Sequence, residues 1–205
     1  MRLFSDADEK RIAEAIAAAE RTTSGEIVAV VAADSDAYAY IPLMWAALIS
    51  LLVPWLLIFF TWWPVTTVFL AQLTVFGLLW ALLHWLPLRT RLVPAALQRA
   101  HAHRRAVEQF LVQNLHTTEG RTGVLIFVSV AERYAEVLAD VGIYRKVPKD
   151  AWQAIVDQLT SHIGDQRPAD GFIAAIAATG ALLAQHFPPG SHDPNQLPNH
   201  LIVLS

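Results

Sequence analysis

The chain has 205 residues, a net charge of -3, no cysteine and 55% hydrophobic residues. That balance lacks the basic footprint of a nucleic-acid binder, and the missing thiol excludes disulfides, thiolate zinc and cysteine catalysis together. Once about 50 residues are given to lipid, as the composition below requires, about 150 remain, enough for one α/β domain and too few for two.

The opening MRLFSDADEKR is polar almost at once, which predicts no cleavable signal peptide and makes the apolar span at Ile41 the first targeting element. Residues 5–22 read as an amphipathic helix. Ser5 with Asp8 three positions on gives a capping-box pattern, and Ile12, Ala15, Ile16 and Ala19 share one face. Thr22-Thr23-Ser24-Gly25 ends it, and the β-branched run from Glu26 to Ala32 predicts a strand covered on both faces.

From Ala37 to Leu88 the chain carries no Asp, Glu, Lys or Arg. Two spans lie inside this stretch, residues 41–60 and 65–86, each close to the ~20 residues that cross a ~30 Å hydrocarbon core. Thr61-Trp62-Trp63-Pro64 is the whole connection, so the spans form a helical hairpin with both flanks on one side of the membrane. A pair of buried helices in a soluble protein would not need this much Leu, Ile, Val and Phe without a charged face. Trp62 and Trp63 at the turn, with Trp80 and Trp85 near the other boundary, suit the headgroup layers, whereas Trp45 and Trp55 fit less neatly. Pro54 removes one backbone hydrogen bond from the first span and should kink it. Intramembrane ionisable groups are lacking apart from His84 near the end, which argues against a transport path. Arg89 and Arg91 follow the second span, with Arg99, Arg104 and Arg105 beyond, while the turn is uncharged. The domain and both termini are therefore expected in the cytoplasm, on the inner face of a bacterial inner membrane.

The domain must resume after the hairpin. Residues 95–115 predict a helix with Leu97, Ala100, Val107, Phe110, Leu111 and Leu115 toward a core, and residues 122–130 a second buried strand. Ala131-Glu132-Arg133 reads as a tight reversal into an antiparallel partner over residues 134–141. Gly142 is expected to free a turn, and Pro148 to occupy the first position of a helix carrying Trp152, Ile155, Val156, Leu159 and Ile163. Pro168-Ala169-Asp170 opens a last helix that Pro188 and Pro189 stop. Residues 189–205 are expected as an extended tail, although residues 201–204 are apolar enough to dock.

The set Thr23-Ser24-Gly25-Glu26-Ile27, Gly123 to Ser129, Ala139-Asp140-Val141-Gly142-Ile143 with Val147-Pro148, and Asp170-Gly171-Phe172 through His186-Phe187-Pro188 resembles the TPM domain family. The family takes its name from a thylakoid lumen protein, a photosystem II repair protein and an acetylcholine-receptor modulator. The chain is similar to a bacterial subgroup in which a membrane hairpin interrupts the domain after its first strand. The resemblance implies an α/β/α sandwich around a small mixed sheet, built from residues 1–36 and 92–188 with the transmembrane hairpin at 37–91. It further implies roles in assembly, quality control or regulation of membrane complexes, with acid phosphatase activity or calcium binding in a few members. A LemA-type membrane protein is the partner class that gene neighbours of the subgroup suggest. Many members place Asn, often after Asp, just before the glycine that begins the second buried strand. Arg121 and Thr122 stand there in this chain, which sets a cation where a cation would bind.

The site residues are read accordingly. Glu26, Glu119 and Asp140, with Asp34 as a further candidate, could serve a hydrolase with calcium or magnesium if they converge. The structural reading makes Glu26 a strand-start residue and Asp140 an Asx-turn residue, with no metal or cofactor. His101 and His103 are two apart on a helix and so point ~200° away from each other, too far to share one ion. Arg89, Arg91, Arg99, Arg104 and Arg105 are the candidates for contact with anionic headgroups, where each charge can add ~1 kcal/mol. The expectation is a non-catalytic, membrane-anchored domain that binds membrane lipids and a membrane protein partner, with a metal-assisted acid phosphatase as the alternative.

Overall fold

The computed structural model describes residues 4–35, 40–85, 93–118, 120–189 and 197–204. The chain divides into two units, residues 1–35 with 101–205 and residues 36–100.

In the first unit α1 spans Asp6–Glu20. The capping box forms as the spacing predicts: the Ser5 hydroxyl accepts from the Asp8 amide at 3.2 Å, and the Asp8 carboxylate accepts from the Ser5 amide at 3.3 Å. Strand β1, Glu26–Ala32, is buried at all seven positions. It pairs in parallel with β2, Gly123–Ser129, from Glu26↔Gly123 to Ala32↔Ser129. A four-residue reversal then leads into β3, Tyr134–Ala139, antiparallel to β2. The stretch expected as a tail returns at Leu201–Leu204 as β4, parallel to β1. The sheet order is β3-β2-β1-β4.

Helices cover both faces of this sheet. Ile27, Ala29 and Val31 of β1 share a core with Ile12 and Ile16 of α1, and with residues of α7 (Lys149–Gly164) and α8 (Pro168–His186). Val28, Val30 and Ala32 face the other way, toward Ala106 of α5 (Ala95–Val112) and toward Leu115. The result is an α/β/α sandwich on a small mixed sheet, and the alternation of β1 follows from the two-residue side-chain period of a strand. Arg11 of α1 binds Asp170 in the first turn of α8 at 2.7 Å, and Gly180 of α8 lies so close to Ala19 that a Cβ there would stand 2.6 Å from the alanine methyl.

Several local expectations are corrected. The buried stripe of α5 is Ala102, Ala106 and Gln109, whereas Val107 and Leu111 are 38% and 51% exposed. Asn114 takes a left-handed φ of 57° and ends the helix at Val112, so Leu115 enters the core from a short 3-10 turn, Leu115–Thr117. Gly142 lies within a one-turn helix, α6 (Val141–Tyr144), capped by Asp140, and its lack of a Cβ serves close packing. A Cβ there would meet the carbonyl oxygens of Gly120 and Arg121 at 2.5 Å. Pro148 is the N-cap of α7 and not its first helical residue; the φ fixed by its ring, -68° here, is compatible with either place.

The second unit contains α2, Tyr40–Ser50, α3, Leu52–Phe60, and α4, Val65–Trp85. Leu51 interrupts the first span, one turn before Pro54, whose missing N–H leaves the Ser50 carbonyl without its helical donor. Residues 61–64 reverse the chain, with the Thr61 hydroxyl donating to the Leu57 carbonyl at 2.6 Å and the Val68 amide to that of Pro64 at 3.2 Å. The apolar surface of these helices is turned outward: Phe60, Val65 and Trp85 are 82%, 84% and 88% exposed. Ile41, Val93 and Leu97 make a small core of their own.

Candidate functional site

The strand register places Glu26 and Asp140 at one end of the sheet, on either side of Gly123. Glu26 is the register partner of Gly123, and the Asp140 amide donates to the Gly123 carbonyl at 2.9 Å. Both acidic residues are buried. One Asp140 oxygen accepts from the Val141 amide at 2.6 Å and so caps α6, while the other lies 3.9 Å from the Arg121 guanidinium. Arg121 itself holds a φ of 56°, its amide bonded to the Thr118 carbonyl at 3.0 Å, and the Thr122 hydroxyl donates to the Ser24 carbonyl at 2.9 Å. Glycine is required at 123 because a Cβ would stand 2.4 Å from the Leu115 carbonyl oxygen. The turn before β2 is thus clamped from three sides. Glu119 lies outside the described residues, so of the three candidate carboxylates two share the amino edge.

No group of three or more His, Asp or Glu placed to hold a metal ion occurs among the described residues. His103 has a different role, with Nδ1 2.9 Å from Glu136, whose carboxylate also accepts from the Tyr134 hydroxyl at 2.9 Å. Of the basic candidates, Arg89 and Arg91 lie outside the described residues. Arg99, Arg104 and Arg105 are on α5, and at ~100° per residue they point in three directions. Arg105 is paired with Glu108 at 2.9 Å.

The opposite, carboxyl edge carries a polar cluster that the sequence reading missed. The Ser129 hydroxyl donates to the Glu132 carboxylate, the Ser35 hydroxyl donates to Ser129 at 2.8 Å, and the Ser35 amide donates to Glu132 at 3.0 Å. Ser129 and Glu132 are both buried. Beside them a groove of about 480 Å³ opens between Ser129, Arg133 and Tyr134 on one side and Thr160, Ile163 and Gly164 of α7 on the other. The available signal was the spacing Ser129-x-x-Glu132 at the end of an apolar strand, which on its own is indistinguishable from a surface turn. Here it fixes the segment through which β1 leaves the unit.

The TPM domain family model matches residues 92–182. That stretch is similar to a TPM domain. The match takes in β2, β3, α6, α7 and most of α8, and with them Arg121, Gly123, Asp140 and Gly142. A solved structure with the same fold is the NMR structure of BA42 protein from the psychrophilic bacterium Bizionia argentinensis. It is 20% identical, with a TM-score of 0.62 over 98% of this chain and 94% of that one, a likeness of fold alone. No curated protein matches the chain. α1 and β1 precede the matched residues, so a central strand of the sheet comes from the part of the chain before the hairpin.

Proposed function

We propose that this chain is a membrane-anchored TPM domain that acts by binding a protein partner, in assembly, quality control or regulation of membrane complexes, and not by catalysis. The observation that carries the reading is the outward apolar surface of the hairpin. Among the described residues three helices are long and apolar enough to cross a membrane; 11% of the first candidate, Tyr40–Phe60, and 6% of the second, Val65–Trp85, is buried within the protein. The third, α8, is 44% buried and spends its apolar face on α1 and α7, which favours two spans. The arginines at 89 and 91 favour a cytoplasmic domain at the inner membrane, with both termini on that side. Arg89, Arg91, Arg99, Arg104 and Arg105 are the residues assigned to anionic headgroups, and a LemA-type membrane protein is the partner class proposed.

The family model's name includes the word phosphatase, which is the ground for a second reading as a calcium- or magnesium-assisted hydrolase. Asp140 bound to the α6 amide and facing Arg121 disfavours it, because a cation would have to displace both. The test is site-specific photo-crosslinking in intact membranes from exposed positions of the domain, such as Tyr144 and Val203. A discrete protein adduct is expected. Adducts to lipid alone from every position, or divalent-dependent hydrolysis of phosphate esters by the purified chain, would overturn the reading.

A further inference from the structure

The amino edge of the sheet gathers cations that the folded domain leaves largely at the surface. Arg21 follows α1, Arg121 precedes β2, Arg145 and Lys146 follow α6, and Lys149 begins α7; all five are exposed. Their proximity is set by contacts between the segments that carry them. The Arg121 carbonyl packs on Gly142 of α6, Lys146 lies 4.6 Å over the Phe187 ring, and the Phe187 carbonyl accepts from the Ser24 amide at 3.0 Å, three residues after Arg21. Lys149 lies 5.5 Å over the ring of Tyr144, which is 53% exposed. Among the described residues few acids stand against these. Glu26 and Asp140 are buried, Glu20 accepts from the Ile27 amide at 2.9 Å, and Asp150 is exposed.

We propose that this edge is a docking surface for an acidic, Asp/Glu-rich segment of a partner protein, with Arg21, Arg121, Arg145, Lys146 and Lys149 as its cations and Tyr144 as its apolar contact. The inference rests on the partner-binding reading above and names the chemistry of that partner. Charge complementarity is the first argument, since exposed cations around an aromatic ring suit carboxylates flanking an apolar side chain. The second is position: the chain leaves this unit at Ser35, past the carboxyl end of β1, so the exit segment does not cover these cations at the amino edge.

The experiment uses the full chain in zwitterionic nanodiscs and a fluorescein-labelled decaglutamate peptide, read by anisotropy. Saturable binding that weakens with salt is expected, reduced at least about tenfold in the Arg145→Glu/Lys149→Glu double variant and unchanged in Arg104→Gln/Arg105→Gln on α5. Unaltered melting of the double variant would show that its fold is kept. Absence of saturable binding, or equal loss in both double variants, would overturn the proposal. So would a charge-reversed variant that loses capture by phosphatidylserine vesicles while keeping the peptide, because the edge would then be a lipid surface. If the photo-crosslinked partner of the wild-type chain persists in Arg145→Glu/Lys149→Glu, this inference fails while the partner-binding reading stands.

Discussion

Arg121 holds its guanidinium 3.9 Å from the Asp140 carboxylate, linking the turn before β2 to the end of β3. The pair shares the edge with Glu26, and Asp140 also caps α6, so a substitution there tests packing and chemistry together. Asp140→Ala should cost about 1 kcal/mol, the usual value of an N-cap, whereas Asp140→Asn, which keeps an oxygen acceptor, should cost less. Thermal unfolding of the two variants in detergent checks the order. Calcium should leave the wild-type melting temperature unchanged at concentrations where a true site would stabilise by RT ln(1 + [L]/Kd).

Gly123 and Gly142 are glycines because backbone oxygens stand 2.4 and 2.5 Å from where a Cβ would be. Gly142→Ala should destabilise by about 1–3 kcal/mol, as overpacking does, and Gly123→Ala by a similar amount. Gly164→Ala, with nothing within 4 Å of the added atom, should be neutral or slightly stabilising. Melting temperatures of the three variants separate close packing from backbone freedom.

Asp8 accepts from the Ser5 hydroxyl and amide, and those bonds, with Arg11 nearby, hold its carboxyl below the ordinary 3.8. A depressed carboxylate stabilises the folded state above its unfolded pKa, and that contribution is lost as pH falls through the lower folded value. Protection of the first-turn amides of α1, corrected for the intrinsic exchange rate, should therefore fall below about pH 3.8, and Asp8→Asn should flatten that dependence.

Replacing residues 36–100 by a Gly/Ser linker should leave a soluble chain that unfolds cooperatively, because both cores flanking the sheet are supplied by residues 1–35 and 101–205. Circular dichroism during denaturant titration is the measurement. In the intact chain, single cysteines at Ser161 and Thr61 extend the test to topology: only the Thr61 position should react with an impermeant thiol reagent in whole cells.

Much of this fold could be read along the chain where composition and burial coincide. The seven residues of β1 are uniformly apolar after Glu26 and uniformly buried, and the Ser5/Asp8 spacing forms its box. The reading failed where tertiary contact outweighs local pattern. α5 buries Ala102, Ala106 and Gln109 in preference to Val107 and Leu111, because small side chains let a helix approach a sheet closely. Gly142 is silent in sequence, since a turn glycine and a close-packed one look alike. The Ser35, Ser129 and Glu132 cluster joins residues nearly a hundred positions apart, and the basic edge is assembled from three separate segments. No local spacing encodes either.

The parallel pairing of Glu26 with Gly123 also dictates an order of events during synthesis. β1 emerges from the ribosome early, but both strands that flank it, β2 and β4, lie beyond the hairpin. On the proposed two-span reading, an apolar segment with neither ladder formed must wait while the hairpin is delivered to the bilayer, and a waiting strand of this kind is open to wrong partners. Insertion of the hairpin would thus precede closure of the sheet. A nascent chain stalled after residue 100 should expose β1 to protease, and one long enough to release β4 should protect it.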